Sequence, residues 1–403
     1  MSSYNSAAIA NTNSMISPNK IAIYTGLALF AMFFGAGNIV FPLYLGANCG
    51  SHILVTVLGF LLGGVGVPFL GLVAISLYHG DYFAFFARLG KVPALIMISI
   101  VMIALGPLGA MPRTETTTFN TLLPYLPEFL KNNTVFSVFY CSLALCLAYR
   151  ENKIVKILGT FLSPVKIISF SCLVLLGLLY ANSSTTETIK SMPTEVAFQQ
   201  SVLLGYNTMD LLAGIFFCAI AFRSIQLATK ENTNLNPSLL TLKSCALGAV
   251  MISLVYTGFI LLAYNHTSSL QGLRAEQTIS VISNVVLGKF GGLFVCITVS
   301  FACLATTVAL AQACSQCLYQ DILKGFFPKQ GCLILIIIIT YLTSNLGFQG
   351  ISELISPIVK IIYPALIVHC VLSILHQWKG IKIIKLPVFL TMLVSFWFTT
   401  YNF

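Results

Sequence analysis

Apolar residues arrive along this chain in long runs, and polar residues gather in short links between them. Crossing a hydrocarbon layer takes about twenty consecutive, mostly apolar helical residues. Stretches of that kind recur at residues 22–46, 53–77, 92–112, 134–149, 157–181, 203–226, 240–264, 289–318, 331–347, 353–376 and 386–402. The pattern predicts an all-α polytopic membrane protein of about eleven transmembrane helices, or twelve if one further span belongs to it. The third and fourth runs are the least sharply bounded, because Pro107, Pro112 and Pro124 interrupt the end of one and the other is short.

Composition agrees with lipid as the solvent. Of 403 residues, 57% are apolar and 8% charged, and the mean hydropathy is +0.92. The twelve cysteines lie mostly inside apolar runs, where a thiol acts as a small hydrophobe, and Cys314-x-x-Cys317 has no partner motif. Neither a disulfide framework nor a metal cluster follows. The net charge of +10 comes from basic residues spread singly between the runs, which is unlike a nucleic-acid-binding stripe and like a topology signal. With the N-terminus cytoplasmic, one side collects Lys20, Arg88, Lys91, Arg150, Lys153, Lys156, Arg223, Lys230, Lys243, Lys324, Lys329, Lys379, Lys382 and Lys385. The other side collects Lys131, Lys190, Arg274 and Lys289. That asymmetry is what the positive-inside rule requires of this orientation. The sequons at Asn132, Asn182 and Asn265 all fall on the expected outer side.

An internal echo suggests how the spans are grouped. Ser163-Pro164-Val165-Lys166-Ile167-Ile168 in span five returns, with one inserted residue, as Ser356-Pro357-Ile358-Val359-Lys360-Ile361-Ile362 in span ten. Spans five apart that run in opposite directions are the mark of a five-plus-five inverted repeat. The expected organisation is a polar cytoplasmic tail at 1–20 without a cleavable signal, a first repeat at 21–181 and an outer loop at 182–202. A second repeat at 203–376 and a cytoplasmic link with span eleven at 377–403 complete it.

Residues able to carry chemistry stand out against the apolar background. In span one, Gly35, Ala36, Gly37 and Asn38 precede Pro42, a set that should unwind the helix and leave amides and carbonyls to line a cavity. A proline kink with close glycine packing would use the same glycines and proline, but has no need of Asn38. Span six holds Thr208, Asp210 and Gly214. Asp210 is the one aspartate placed well inside a span, and so is expected to be protonated, bound to a cation or in contact with a substrate ammonium; at the span's edge it would simply meet water. Span eight carries Thr306 and Thr307, whose hydroxyls suit a hard cation or, alternatively, their own helix carbonyls. Arg113 and Glu115, just past Gly106-Pro107, offer an ion pair or a gate, and Lys166 either snorkels to the cytoplasm or stands where a cation would sit. Gly59-x-x-x-Gly63 reads as tight helix packing.

Four segments in order, Phe34-Gly-Ala-Gly-Asn-Ile-Val-Phe-Pro42, Gly106-Pro-x-x-Ala-x-Pro-Arg-Thr114, Thr208-Met-Asp210 and Ala302-Cys-Leu-x-Thr-Thr307, resemble the bacterial branched-chain amino acid:cation symporters. The resemblance spans most of the chain. It implies the leucine-transporter fold of the amino acid-polyamine-cation superfamily, with helices one and six broken. It further implies import of Leu, Ile and Val across the bacterial cytoplasmic membrane, coupled to Na⁺ or H⁺ by alternating access. Carried over by position, the substrate would meet Gly35, Ala36, Gly37, Asn38, Thr208, Asp210 and Gly214, with Ile215, Phe216 and Phe217 supplying an apolar pocket. Sodium, the expected coupling ion, would meet the carbonyls of Ala31, Phe34 and Cys303 and the hydroxyls of Thr306 and Thr307. Lys166 and Lys360 depart from the family pattern and leave Na⁺ and H⁺ both open. The alternative is a carrier of another apolar amino acid such as Met, proton-coupled or uncoupled through Lys166. No enzyme, other cofactor, nucleic-acid or protein partner is implied: an intramembrane aspartyl hydrolase needs two facing aspartates, and Asp81 and Asp321 fall in links. A channel would need a charge ring or filter carbonyls.

Overall fold

The computed structural model describes residues 17–149, 153–180, 193–230 and 235–401. Every regular element among them is helical. We number the principal helices α1 (Pro18–Phe33), α2 (Ala36–Asn48), α3 (Ile53–Leu77), α4 (Tyr82–Ala87), α5 (Lys91–Leu105), α6 (Ala110–Leu122), α7 (Asn133–Tyr149) and α8 (Lys153–Leu179). There follow α9 (Thr194–Tyr206), α10 (Asp210–Ala228), α11 (Pro237–Asn265), α12 (Thr278–Cys317), α13 (Lys329–Ser344), α14 (Gly347–Lys379) and α15 (Lys385–Tyr401). Among the described residues six helical segments are long and apolar enough to cross a membrane, and the bent pair α1–α2 makes a seventh. Shorter apolar helices occupy Asn133–Tyr149, Pro164–Leu179, Lys329–Ser344 and Lys385–Thr400. The Ser-Pro echo lies inside α8 and inside α14.

Several boundaries differ from the hydropathy reading, each for a local reason. Span three does not end at 112: α5 stops at Leu105, the chain loops through Gly106 to Gly109, and α6 continues to Leu122. Polar α6, with Thr114 to Thr118 all buried, is invisible to a hydropathy scan because protein, not lipid, surrounds it. Residues 194–202, expected in an outer loop, are helical in α9; 182–192, including the Asn182 sequon and Lys190, lie outside the described residues, as do 1–16 of the tail. Span eight begins as early as Thr278, with a kink at Gly288, whose φ of 69° is a left-handed value that glycine adopts readily.

The break in span one falls at Phe34–Gly35, at the start of the expected stretch, and Ala36 to Asn38 are already helical. Pro42 sits inside α2, which holds its helix through the proline while packed along α11. The Gly35 amide turns back to the Phe33 carbonyl at 2.8 Å and to the Asn38 Oδ1 at 3.2 Å, so it no longer serves the carbonyl of Ala31 four residues earlier. The helix axis bends by 71° there. Span six is interrupted at Asn207–Met209, where Met209 has φ 62°, without a comparable bend.

Small residues let backbones approach closely, the main route to tight packing where lipid tails are as apolar as the side chains. Helix α11 runs beside both halves of the broken span. A Cβ on Gly46 of α2 would lie 2.2 Å from the Ile260 carbonyl oxygen of α11, and one on Gly63 of α3 would lie 2.4 Å from the Val202 oxygen of α9. Gly59 faces α9 in the same way. Gly46→Leu should therefore force α2 off α11, at an overpacking cost of roughly 1–3 kcal/mol, and lower the thermal midpoint of the detergent-purified protein. Gly66→Ala, whose added Cβ would meet nothing nearer than 3.6 Å, should leave the midpoint unchanged or raise it. Indistinguishable midpoints for the two variants would contradict this packing.

Candidate functional site

The two interruptions meet. A Cβ on Gly37 would sit 3.3 Å from the Cα of Thr208, so the first turn of α2 lies against the loop that precedes α10. Asn38 and Asp210, each 3% exposed, face each other across this contact. The Asn38 Nδ2 donates to both carboxylate oxygens of Asp210, at 2.9 and 2.8 Å, while Asn38 Oδ1 accepts the Gly35 amide. From α11, the Tyr256 hydroxyl donates to Asp210 Oδ2 at 2.7 Å and also meets Asn38 Nδ2. Asp210 is the first residue of α10, the position where the helix dipole favours an ionised carboxylate. Tyr256 is the residue that sequence reasoning missed. Its signal was a lone tyrosine in mid-span, whose hydroxyl must find a partner when buried.

Beside this network lies a cavity with about 40 Å³ open to the centres of water molecules, room for roughly three waters at 10–15 Å³ each. Gly35, Ala36, Gly37, Asn38, Arg113, Thr114, Thr208, Asp210 and Thr306 make up its polar side. Met32, Phe33, Leu105, Ala213, Phe217 and Leu310 contribute most of its apolar side. The amide ends of α2 and α10 both open at its edge.

Not every candidate residue reaches it. Phe216, one helical step of about 100° from Phe217, turns away and stacks on Tyr82 of α4 with ring centroids 5.0 Å apart. Gly214 packs against the Phe33 ring. Phe34 is buried in an aromatic group with Phe30, Phe170 and Phe259. Thr306 lines the cavity beside Gly35 and bonds the Ala302 carbonyl at 3.1 Å. Thr307, the next residue, points into a hydroxyl cluster with Thr114 and Tyr140 and bonds the Cys303 carbonyl at 3.0 Å. Lys166 does not snorkel: it is 3% exposed, on α8, which packs along α12.

Arg113 and Glu115 do not form the expected ion pair, since two positions along a helix put their side chains on nearly opposite faces. Glu115 is buried towards α7, where it accepts the Ser137 hydroxyl at 2.8 Å. Arg113 turns to the cavity, donates from Nη1 to the Asn207 carbonyl at 2.8 Å, and lies near the rings of Phe41 and Phe348. Phe348 also lines a wider vestibule of about 480 Å³ bounded by Asn120, Arg274 and Gln349. A layer made by Phe41, Phe348 and Arg113 thus stands between the vestibule and the cavity.

The family model described as branched-chain amino acid transport protein matches residues 18–402. A branched-chain amino acid transport system 3 carrier protein of Pseudomonas aeruginosa is 29% identical over 374 residues, covering 91% of this chain and 84% of the relative. A branched-chain amino acid permease of Bacillus subtilis, BrnQ, is 28% identical over 373 residues, covering 89% and 82%. Among solved structures, inward-facing Mhp1 superposes with a TM-score of 0.62 at 12% identity, over 96% of this chain and 91% of that one. MhsT in complex with L-phenylalanine superposes at 0.57 and 15% identity, over 91% and 98%. These likenesses show the leucine-transporter fold. With a family match over nearly its whole length, the chain belongs to the branched-chain amino acid transport proteins and is a membrane transporter, not an enzyme.

Proposed function

We propose that the protein imports Leu, Ile and Val across the bacterial cytoplasmic membrane by alternating access, coupled to a cation gradient. One observation carries this reading: the cavity where the two helix breaks meet is lined both by polar groups of those breaks and by large apolar side chains. A zwitterionic head with a branched apolar side chain has the same division. The oxygens of Asp210 keep lone pairs for an ammonium, and the amide end of α2 at Ala36 and Gly37 suits a carboxylate. Phe33, Leu105, Phe217 and Leu310 would receive the side chain. Room for about three waters is too little for leucine, so loading requires the half-helices, and the layer between cavity and vestibule, to move apart. On the orientation set by the basic residues, that vestibule faces outward.

Two cations suit the coupling role. Sodium would bind near Thr306, between the carbonyls freed in span one and α12. A proton would act through Lys166, whose ammonium, buried on α8 against α12, would repel a sodium ion held there. The placement of Lys166, together with the hydrogen bonds already made by Thr307, favours the proton.

Uptake of labelled leucine into proteoliposomes, with Na⁺ and pH gradients imposed separately, is the direct test. The proton reading expects an inward proton gradient alone to drive uptake and Lys166→Ala to remove the pH dependence. Uptake driven by Na⁺ alone, with Thr306→Ala raising the half-saturating Na⁺ concentration, would establish the sodium reading instead. No gradient-driven uptake of Leu, Ile or Val would overturn the proposal, and faster uptake of methionine would redirect it to another apolar amino acid. Asp210→Asn should abolish or uncouple transport. Tyr256→Phe removes one hydrogen bond to a buried carboxylate, worth about 1.5–3 kcal/mol, and should lower uptake about tenfold or more; wild-type rates in both variants would refute the site.

A further inference from the structure

Arg113 is 2% exposed and pairs with neither of the buried carboxylates near it, Glu115 and Asp210: among the described residues the one ion pair is Lys131–Glu128, at the surface. Its Nη1 donates to the Asn207 carbonyl, and its guanidinium carbon lies 5.5 and 5.8 Å from the ring centroids of Phe41 and Phe348. Its Nε and Nη2 are buried and have no hydrogen-bond partner. Those two nitrogens form one edge of the guanidinium, with parallel N–H bonds that match the two oxygens of a carboxylate. A buried donor left without an acceptor is destabilising, and more so when it carries charge. An arrangement that leaves one whole edge of a buried guanidinium unpaired, in the wall of a cavity, points to a ligand supplying the missing oxygens.

We propose that the Nε–Nη2 edge of Arg113 clamps the α-carboxylate of the transported amino acid, acting together with the amide end of α2. The assignment rests on the amino acid transport reading above and adds a specificity element to it. Asp210, on the same cavity wall, is left for the ammonium. The two charged ends of a zwitterion then face one buried cation and one buried anion, while the apolar wall receives the side chain. Because Nη1 holds the Asn207 carbonyl in the loop before α10, occupancy of the opposite edge is coupled to the span-six break. Because the same guanidinium lies over the rings of Phe41 and Phe348, a bound carboxylate would also fix the layer below the vestibule. Amines and amides of the right shape would lack this anchor.

The test compares L-leucine with L-leucinamide, which keeps the shape and ammonium but carries no carboxylate charge. Each is titrated against the thermal midpoint of the purified full chain, wild type and Arg113→Gln. Losing one partner of a buried, hydrogen-bonded charge pair costs 2–5 kcal/mol, so wild type should prefer leucine over leucinamide on the order of a hundredfold. In Arg113→Gln that preference should fall to within about tenfold, through loss of leucine affinity with leucinamide affinity retained. An unchanged preference in Arg113→Gln would overturn the clamp while leaving the transport reading standing. Should Arg113→Gln fail to fold, Arg113→Lys keeps the charge without the fork and is expected to lose at least tenfold of the preference; a full wild-type preference there would equally overturn the clamp. A wild-type protein that leucine neither stabilises nor crosses would instead sink the transport reading itself.

Discussion

A carboxylate buried inside a membrane protein must be answered by donors, a cation or a proton, and here the answer comes from two other helices. Asn38 of α2 and Tyr256 of α11 both donate to Asp210 at the start of α10. Lipid offers no donor, so breaking this contact would leave a charge or several polar groups exposed to an apolar medium. Asn38 has a second obligation, since its Oδ1 takes the Gly35 amide released by the 71° bend. One amide side chain therefore both caps the half-helix α2 and ties it to span six. The cavity exists where it does because these two demands meet at the same residue.

The rest of the bundle keeps that crossing in register. Helix α11, which brings Tyr256, also accepts α2 at the Gly46 contact, so the network and the backbone packing are set by one helix. On the other side α6 stacks on α12, and the hydroxyls of Thr114, Tyr140 and Thr307 satisfy one another in the seam. Much of polar α6 is satisfied in this way: Thr114, Thr116 and Thr118 bond carbonyls of their own helix or neighbouring hydroxyls, while the hydroxyls of Thr117 and Thr121 are buried without a partner. The charged residues of α6 divide the labour, with Glu115 facing the serine of α7 and Arg113 facing the cavity.

Much of this was legible in the amino-acid pattern. The length of the apolar runs exposes the all-helical membrane fold, and Gly35 to Asn38 with Thr208 and Asp210 mark the two interruptions, because glycine, amide and carboxylate in a hydrophobic crossing conflict with lipid. The position of the first break was less legible. Pro42 is the stronger helix breaker by propensity, yet α2 runs through it, and the chain bends instead where an amide finds Asn38. The extent of span three was hidden for the opposite reason, since hydropathy measures exposure to lipid and α6 has almost none.

By itself, then, the sequence determined the solvent of the protein, its helical class, the family motifs and which positions are chemically anomalous. These follow from local composition, the length needed to cross a bilayer and the cost of polar groups within it. Only the tertiary structure decided which anomalies meet: that Asp210 is held by Asn38 and Tyr256, that Phe217 and not Phe216 lines the cavity, that Thr306 and Thr307 part company, and that Arg113 leaves Glu115, lines the cavity and keeps two nitrogens unpaired. The physical reason is that neighbouring residues on a helix point about 100° apart, and which of those directions meets a partner depends on helices far away in the chain.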